Sequence, residues 1–307
     1  MSRRGKSRFE VVLSCLALSL IGCSGEDASG VEEPLASADN ALCAAPRLER
    51  VALSTGVTLS YLVQGNPHGK PVIFIHGYTD SHRSFDLNLP RFPRSFRSYA
   101  LDLRGHGDSD KPACCYEQGD FAADVVAFMD ALGLESASIV GHSMGSFVAH
   151  RVAVDHPERV DGLVLIGSAP TVALNAVALD FKAVVDTLVD PIDPEFVLAF
   201  QSSTFFRPIP EEFLATAVEE SLKVPASVWH QALDGLLADD HSAALPGIDA
   251  PTLILFGDED VFFTAAEQAA LDAAIPDSTL VVYPGTGHGT HVELPQAVTR
   301  EIARFLR

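Results

Sequence analysis

The pentapeptide Gly-His-Ser-Met-Gly at residues 141–145 constrains the fold of this chain more than any other stretch. It follows a short apolar run at 137–140 and precedes a segment whose apolar residues have helical spacing. A serine between two glycines at a strand-to-helix junction is typical of a nucleophile elbow, a tight turn that lifts the serine Oγ above the sheet. The turn closes only around small flanking residues, which Gly141 and Gly145 provide. A structural turn serine is the alternative, and the strand–helix context favours Ser143 as a nucleophile.

The rest of the chain alternates strand-like apolar runs with helical patterns. Continuous apolar runs such as 71–75 predict strands that are buried on both faces of a parallel sheet. Helical spacing occurs near 120–132, 265–274 and 293–306. Strands that alternate with helices predict an α/β fold with a doubly wound, mostly parallel sheet. The eight predicted strands are 48–53, 57–63, 71–75, 98–101, 137–140, 162–166, 252–256 and 279–283.

One segment interrupts this alternation. Residues 171–245 carry helical patterns broken by prolines, which predicts a helical cap inserted over the sheet. Residues 47–170 and 246–307 then form the core. The insertion is aromatic, and we expect its rings to divide between packing and lining an apolar binding site. These aromatic residues are Phe181, Phe196, Phe200, Phe205, Phe206, Phe213 and Trp229.

Two later strands end in polar residues that could activate a serine. A serine hydroxyl needs a base to take its proton, and the base needs a third group to fix its tautomer. The turn after one strand holds Asp258 and Asp260, and the turn after the next holds His288. His142 and His291 compete with His288 as the base. We expect His142 to point away from the elbow and His291 to lie one helical turn beyond His288.

Several short motifs resemble those of the α/β-hydrolase superfamily, and the resemblance covers residues 48–307. It is closest to small serine hydrolases with a helical cap, a group that includes esterases, C–C bond hydrolases and cofactor-free haloperoxidase-like enzymes. The resemblance implies the α/β-hydrolase fold, with the chain order serine, acid, histidine. The matching motifs are His76-Gly77, Asp-Leu-Arg-Gly-His-Gly-Asp-Ser at 102–109, the pentapeptide at 141–145, 257–260, and Gly287-His288 with Glu293-Leu294-Pro295.

Carried over by position, the resemblance assigns a catalytic triad. It implies that Ser143 is the nucleophile, His288 the base and Asp260 the carboxylate that orients the base. The acid of this family is the fourth residue of a Gly-x-x-Asp turn, which selects Asp260 over Asp258. The expected role of Asp258 is then to cap the turn.

The expected oxyanion hole consists of the backbone N–H groups of Tyr78 and Met144. The tyrosine ring either shapes the acyl pocket or packs. Because residue 143 is serine, enzymes of similar layout that need a carboxylate nucleophile, such as epoxide hydrolases and haloalkane dehalogenases, are excluded. Three further polar residues of the motifs are expected to support loops: His76, Arg104 and His106.

The predicted function is hydrolysis of a carboxylic ester, lactones included, through an acyl-enzyme. The expected substrate is a small apolar ester, and neither a metal nor an organic cofactor is expected. The alternatives are a C–C bond hydrolase or haloperoxidase-like perhydrolase with the same triad, and a non-catalytic ligand-binding or receptor protein on this scaffold.

The N-terminal residues predict export. A basic stretch precedes an apolar run at 11–21 that is too short to span a membrane, as in a signal peptide. Leu20-Ile21-Gly22-Cys23 resembles the bacterial lipobox, which implies removal of residues 1–22 and a lipid on Cys23. The resemblance implies a bacterial lipoprotein, with Ser24 typical of outer-membrane retention. The alternative is an ordinary secretory signal that is cleaved elsewhere.

Composition adds three constraints. The formal net charge of −20 argues against a nucleic-acid partner and favours a solvated acidic surface. Residues 23–46 are acidic and rich in small residues, which predicts a flexible tether. In an oxidising compartment Cys43 is expected to pair with either Cys114 or Cys115, and the cysteines offer too few ligands for a metal.

Overall fold

The structure is a computed structural model that describes residues 44–307. The predicted signal peptide, Cys23 with its predicted lipid, Cys43 and most of the predicted tether lie outside the described residues. Strand β1 begins at Ala44, so the last residues assigned to the tether belong to the sheet. In the part of the chain that is described, no helix is both long and apolar enough to cross a lipid bilayer.

The predicted sheet is present, and its eight strands lie in the order β1-β2-β4-β3-β5-β6-β7-β8. β1 and β2 form the predicted antiparallel hairpin, β2 also pairs antiparallel with β4, and all later pairs are parallel. The parallel strands therefore end at one common edge. The strands are β1 Ala44–Ala52, β2 Thr58–Gly65, β3 Pro71–Ile75, β4 Arg97–Leu101, β5 Ala137–His142, β6 Val160–Ile166, β7 Thr252–Gly257 and β8 Ser278–Tyr283.

Helices connect the parallel strands, and four of them lie between β6 and β7, within the segment predicted to be the cap. The segment predicted to form one last helix forms two helices, because Leu294-Pro295 interrupts it. The α-helices are α1 Gln118–Ala131, α2 Met144–Asp155, α3 Ala176–Val185, α4 Pro194–Ser203, α5 Glu211–Leu222, α6 Ala226–Ala238, α7 Ala265–Ala274, α8 Thr290–Glu293 and α9 Pro295–Phe305. Short 3-10 helices lie at His82–Phe85, Leu89–Arg91, Pro157–Arg159 and Ser242–Gly247.

The sheet has a hydrophobic core on each face. Successive side chains of a strand point to opposite faces, so Ile73 and Ile75 join one buried cluster while Val72 and Phe74 join the other. This is why β3 is an unbroken apolar run. The sheet is thus covered on both sides, and its polar site residues are confined to the loops at the strand ends.

The cysteine prediction was wrong in one respect. Cys114 and Cys115 form a disulfide with each other, so neither is free to pair with Cys43. Both lie in an exposed loop that precedes α1.

Candidate active site

The pentapeptide 141–145 forms the sharp turn expected between β5 and α2. Ser143 has φ 50° and ψ −124°, in the positive-φ region that non-glycine residues rarely adopt. A Cβ on Gly141 would lie 2.3 Å from the Gly145 carbonyl oxygen, and a Cβ on Gly145 would lie 2.4 Å from the oxygens of Ile75 and His76. Both glycines are therefore sterically required, and they hold Ser143 at the N-terminus of α2.

His288 and Asp260 form a buried pair at the ends of neighbouring strands. His288 Nδ1 lies 2.8 Å from Asp260 Oδ2, and the two side chains are 4% and 0% exposed. Asp260 Oδ1 accepts the backbone N–H groups of Phe262 at 2.8 Å and Phe263 at 3.2 Å. These three bonds fix the carboxylate and orient the imidazole. His288 thus carries its proton on Nδ1 and leaves Nε2 as the acceptor.

Ser143 and His288 line the same cavity. Gly167, at the end of β6, makes room for the imidazole, since a Cβ there would lie 2.8 Å from His288 Nδ1. Among residues 44–307, no hydrogen bond joins Ser143 Oγ to His288. Such bonds are often long in ligand-free enzymes and tighten when substrate binds.

Asp258 lies in the same turn after β7 as Asp260, and it is exposed. Its Oδ1 accepts the backbone N–H of Gly285 at 2.5 Å, which ties the β7 turn to the β8 turn. This is the capping role that the sequence predicts for Asp258.

Of the two residues predicted to form the oxyanion hole, Tyr78 lines the cavity and Met144 directly follows Ser143, which also lines it. Met144 is the first residue of α2, where backbone N–H groups have no partner within the helix and the helix dipole is positive. Tyr78 lies in the loop after β3, next to Thr79 with φ 63°. The Tyr78 hydroxyl donates to the Trp229 carbonyl oxygen of α6. The ring therefore both lines the cavity and packs against the helical segment.

The competing histidines lie closer to His288 than the sequence suggests. The His142 ring was expected to point away from the elbow, but its centroid lies 5.0 Å from that of His288 and 4.3 Å from that of His291. Burial lowers the pKa of His142 well below its usual value and that of His291 to about 3. Neither has a carboxylate on its ring, so both remain neutral, and neither is oriented as His288 is.

The motif residues expected to support loops do so. His76 is fully buried, with Nδ1 2.8 Å from the Gly77 oxygen and Nε2 accepting the Leu103 N–H at 3.0 Å. Arg104 makes two 2.6 Å bonds to Asp124. His106 Nδ1 lies 2.8 Å from the Arg104 carbonyl oxygen, and burial lowers the pKa of His106 to about 3.

A second buried His–Asp pair joins His82 Nδ1 to Asp102 Oδ1 at 2.7 Å. The hydrogen bonds from His82 and Asp108 lower the pKa of Asp102 to about 2, against the effect of burial. Neither His82 nor Asp102 lines the cavity that contains Ser143. This pair therefore holds the loops after β3 and β4 together.

The surface of the cavity that Ser143 lines is mostly apolar, and part of the insertion lines it, as predicted. Trp229, Phe196 and Phe206 do not line it; Trp229 is fully buried and Phe206 is 58% exposed. The phenylalanines of the insertion that do are Phe181, Phe200, Phe205 and Phe213. Phe262 and Phe263, which follow Asp260, add two rings that the sequence analysis did not assign.

Two polar residues of the site were also missed. Asp80 lies in the loop after β3 and lines the cavity, and Gln201 of α4 donates from Nε2 to Asp80 Oδ1 at 2.9 Å. Burial raises the pKa of Asp80 from 3.8 to about 6. The sequence feature that could have indicated Asp80 as a site residue is its position three residues after Gly77 of the His76-Gly77 motif. Within residues 44–307, no cluster of His, Cys, Asp and Glu side chains could hold a metal ion.

Comparison with known proteins gives a consistent result. Residues 70–295 match the family model described as the alpha/beta hydrolase fold. A non-heme chloroperoxidase of Streptomyces lividans is 29% identical over 277 residues, which cover 84% of this chain and 99% of the relative. A 2-hydroxymuconate semialdehyde hydrolase of Pseudomonas sp. (strain CF600) is 30% identical over 282 residues, 85% of this chain and 94% of the relative. A solved esterase from Rhodococcus sp. ECU1013 superposes with a TM-score of 0.76 at 26% identity, covering 84% of this chain and 98% of the esterase.

Proposed function

Because the chain belongs to the alpha/beta hydrolase fold family, we propose that it is a serine hydrolase that cleaves carboxylic esters, lactones included, through an acyl-enzyme. The observation that carries the proposal is the buried 2.8 Å contact between His288 and Asp260, beside a cavity that the elbow serine also lines. Nucleophile, base and orienting acid then come from the ends of β5, β8 and β7. This is the arrangement that acyl transfer to a serine requires.

In the first half of the proposed reaction, Ser143 Oγ attacks the ester carbonyl carbon and its proton passes to His288 Nε2. Asp260 stabilises the imidazolium that forms. The carbonyl oxygen becomes an oxyanion that accepts hydrogen bonds from the Tyr78 and Met144 N–H groups. Removing one donor of an oxyanion hole typically lowers the rate by about 10²–10³. Collapse of the intermediate breaks the C–O bond, and the alkoxide takes the proton from His288.

In the second half, water attacks the acyl group on Ser143 and gives its proton to His288. The tetrahedral intermediate then expels the serine oxygen, which takes the proton back. The carboxylic acid leaves and the enzyme returns to its first state. No metal or cofactor takes part in these steps.

The aromatic lining of the cavity supports an apolar substrate. The rings of Phe181, Phe200 and Phe213 come from three helices of the inserted segment and line the same cavity as Ser143. Apolar lining with few polar groups is the usual character of a small-molecule site. The superposable Rhodococcus esterase supports ester chemistry in the same framework.

The test is steady-state hydrolysis of p-nitrophenyl esters of increasing chain length by the wild type and the Ser143→Ala variant. We expect multiple turnovers that Ser143→Ala abolishes, with a chain-length optimum set by the cavity. Ser278→Ala is the matched control. The Ser278 hydroxyl donates to the carbonyl oxygens of Asp272 and Ile275, at the end of β8 away from His288. Equal rates in the wild type and Ser143→Ala would refute the proposal.

Other outcomes favour the alternatives. Peracid formation from a carboxylic acid and hydrogen peroxide would favour the perhydrolase function suggested by the chloroperoxidase relative. Cleavage of a diketone-like substrate without ester turnover would favour a C–C bond hydrolase. A single slow turnover would favour a ligand-binding protein on this scaffold.

We also propose that the chain is exported and anchored through a lipid on Cys23. Incorporation of labelled palmitate into the protein tests this proposal. Support comes from the sequence of residues 1–23 alone, which lie outside the described part of the chain. Label retained on the wild type and lost in Cys23→Ser would support the anchor. An unlabelled wild type with a cleaved N-terminus would favour an ordinary secretory signal.

A further inference from the structure

Asp80 has no role in the proposed triad, yet it lies beside the nucleophile. A Cβ placed on Gly77 would lie 3.2 Å from Asp80 Oδ2 and 3.3 Å from Ser143 Cβ. The carboxyl group and the reacting serine thus flank one point in the loop after β3. Asp80 is half-buried and lines the cavity.

One oxygen of Asp80 is well bound and the other is not. Oδ1 accepts the Gln201 amide at 2.9 Å, whereas Oδ2 has only a 3.5 Å contact with the Ser84 hydroxyl. Ser84 Oγ also lies 3.3 Å from His291 Nε2. A carboxylate oxygen accepts two hydrogen bonds, so Oδ2 retains capacity for a donor from a ligand.

Asp80 also differs from the other charged side chains of the cavity, because they form ion pairs. Arg83 pairs with Asp86 at 2.8 Å, and Glu220 pairs with Lys223 at 2.9 Å. Asp80 forms no salt bridge within residues 44–307. Burial lowers the pKa values of His142 and His291, so these two rings are neutral and do not compensate it. A negative charge in an apolar cavity attracts cations and repels anions more strongly than it would in water.

Resting on the proposed hydrolase function, we propose that Asp80 is a specificity-determining residue that accepts a hydrogen bond from an ammonium group of the substrate, next to the scissile carbonyl. The preferred substrates are then amino-bearing esters, and esters with a carboxylate at the same position are rejected. The phenylalanines that line the same cavity offer aromatic rings to a cation as well. The net charge of −20 acts in the same direction by concentrating cations near the protein.

A matched substrate series tests this, with rates measured by pH-stat at about pH 8, above the pKa of Asp80. The esters are β-alanine methyl ester, methyl butanoate and monomethyl malonate, which place an ammonium, a methyl and a carboxylate at one position. In the wild type we expect kcat/KM to fall in that order. Asp80→Asn should lower the ammonium-to-methyl ratio about tenfold or more, as charged hydrogen bonds do.

The control variant is Glu219→Gln, which removes an exposed carboxylate of α5 that does not line the cavity. It should leave the ratio within about threefold of wild type, as expected for a surface substitution away from the site. A purely structural role of Asp80 would lower all three rates together and leave their ratio unchanged. That result would overturn the inference while the ester-hydrolase proposal stood.

A binding measurement separates this inference from the proposed function. Calorimetry on Ser143→Ala and Ser143→Ala/Asp80→Asn compares binding of β-alanine methyl ester with binding of methyl butanoate. If no ester is turned over, the hydrolase proposal fails, and tighter ammonium binding that depends on Asp80 still supports the site. Equal binding by both variants overturns it.

Discussion

Replacement of Asp260 by asparagine tests the geometry of the site most sharply, because the structure predicts which way the new amide will face. Asp260 Oδ1 accepts two backbone N–H groups, from Phe262 and Phe263. Only the oxygen of an asparagine can keep these bonds, so its NH₂ group must face His288. His288 Nδ1 must then accept a hydrogen bond from this NH₂ group, so the ring proton lies on Nε2 instead. In that tautomer His288 cannot take the proton of Ser143.

The expected magnitude follows from the loss of the base. A wrong tautomer lowers kcat by about 10⁴-fold when the geometry is otherwise retained. At about 1.4 kcal/mol per factor of ten, this is about 5–6 kcal/mol of transition-state stabilisation. KM should change little, because the Asp260 side chain is fully buried and does not line the cavity.

The assay is steady-state kinetics on a p-nitrophenyl ester, with circular dichroism and thermal unfolding to confirm that the variant is folded. Asp258→Asn is the matched control, two residues away in the same turn, and should keep kcat within about threefold, as expected outside the site. A folded Asp260→Asn variant that loses less than tenfold in kcat would refute the assignment of Asp260. Loss in Asp258→Asn instead would transfer the role to Asp258.

Three further predictions concern the elbow, the rival base and pH. Gly145→Ala should destabilise the protein by about 1–3 kcal/mol or more in urea unfolding, because its Cβ would meet backbone oxygens at 2.4 Å; an unchanged midpoint would contradict the tight elbow. His288→Gln should lower kcat by at least about 10²-fold, whereas His291→Gln should retain most activity; the reverse order would reassign the base. Asp80 has its pKa raised to about 6 on folding, so its stabilising contribution is complete below pH 3.8 and is lost as the pH rises through 6. Asp80→Asn should therefore gain about 1–3 kcal/mol over wild type above pH 7 and lose that gain below pH 4, and a gain that is independent of pH would contradict the burial argument.

The strand pattern was readable from the sequence because the central parallel strands, β3 to β7, are buried on both faces, whereas the edge strand β8 is only partly buried. The run at 71–75 has the same bounds as β3, and the helix predicted at 265–274 has the bounds of α7. The elbow was readable for a steric reason, since only glycine fits at positions 141 and 145, two residues before and after Ser143. The serine, the acid and the histidine each follow a predicted strand, which placed all three at the ends of parallel strands.

Other features depend on contacts between distant segments, which no local pattern encodes. The position of His142 beside His288 and His291 follows from how the turns after β5 and β8 pack. The helix break at Leu294 has a local cause instead, Pro295, although helical spacing continues across it. The pairing of Cys114 with Cys115, in place of Cys43, reflects a loop conformation in which Cys115 has φ 76°.

The sequence by itself determined the fold class and the elbow, because local periodicity and local sterics leave few alternatives for them. The resemblance of its motifs to the α/β-hydrolase superfamily assigned the residues of the proposed triad. Only the tertiary structure decided which aromatic rings line the cavity and that Asp80 stands beside Ser143. Gln201 is 121 positions from Asp80 along the chain, yet its amide binds the carboxylate. Burial, charge and hydrogen-bond capacity at the site arise from such long-range contacts, and these exist only once the helices between β6 and β7 lie over the ends of the strands.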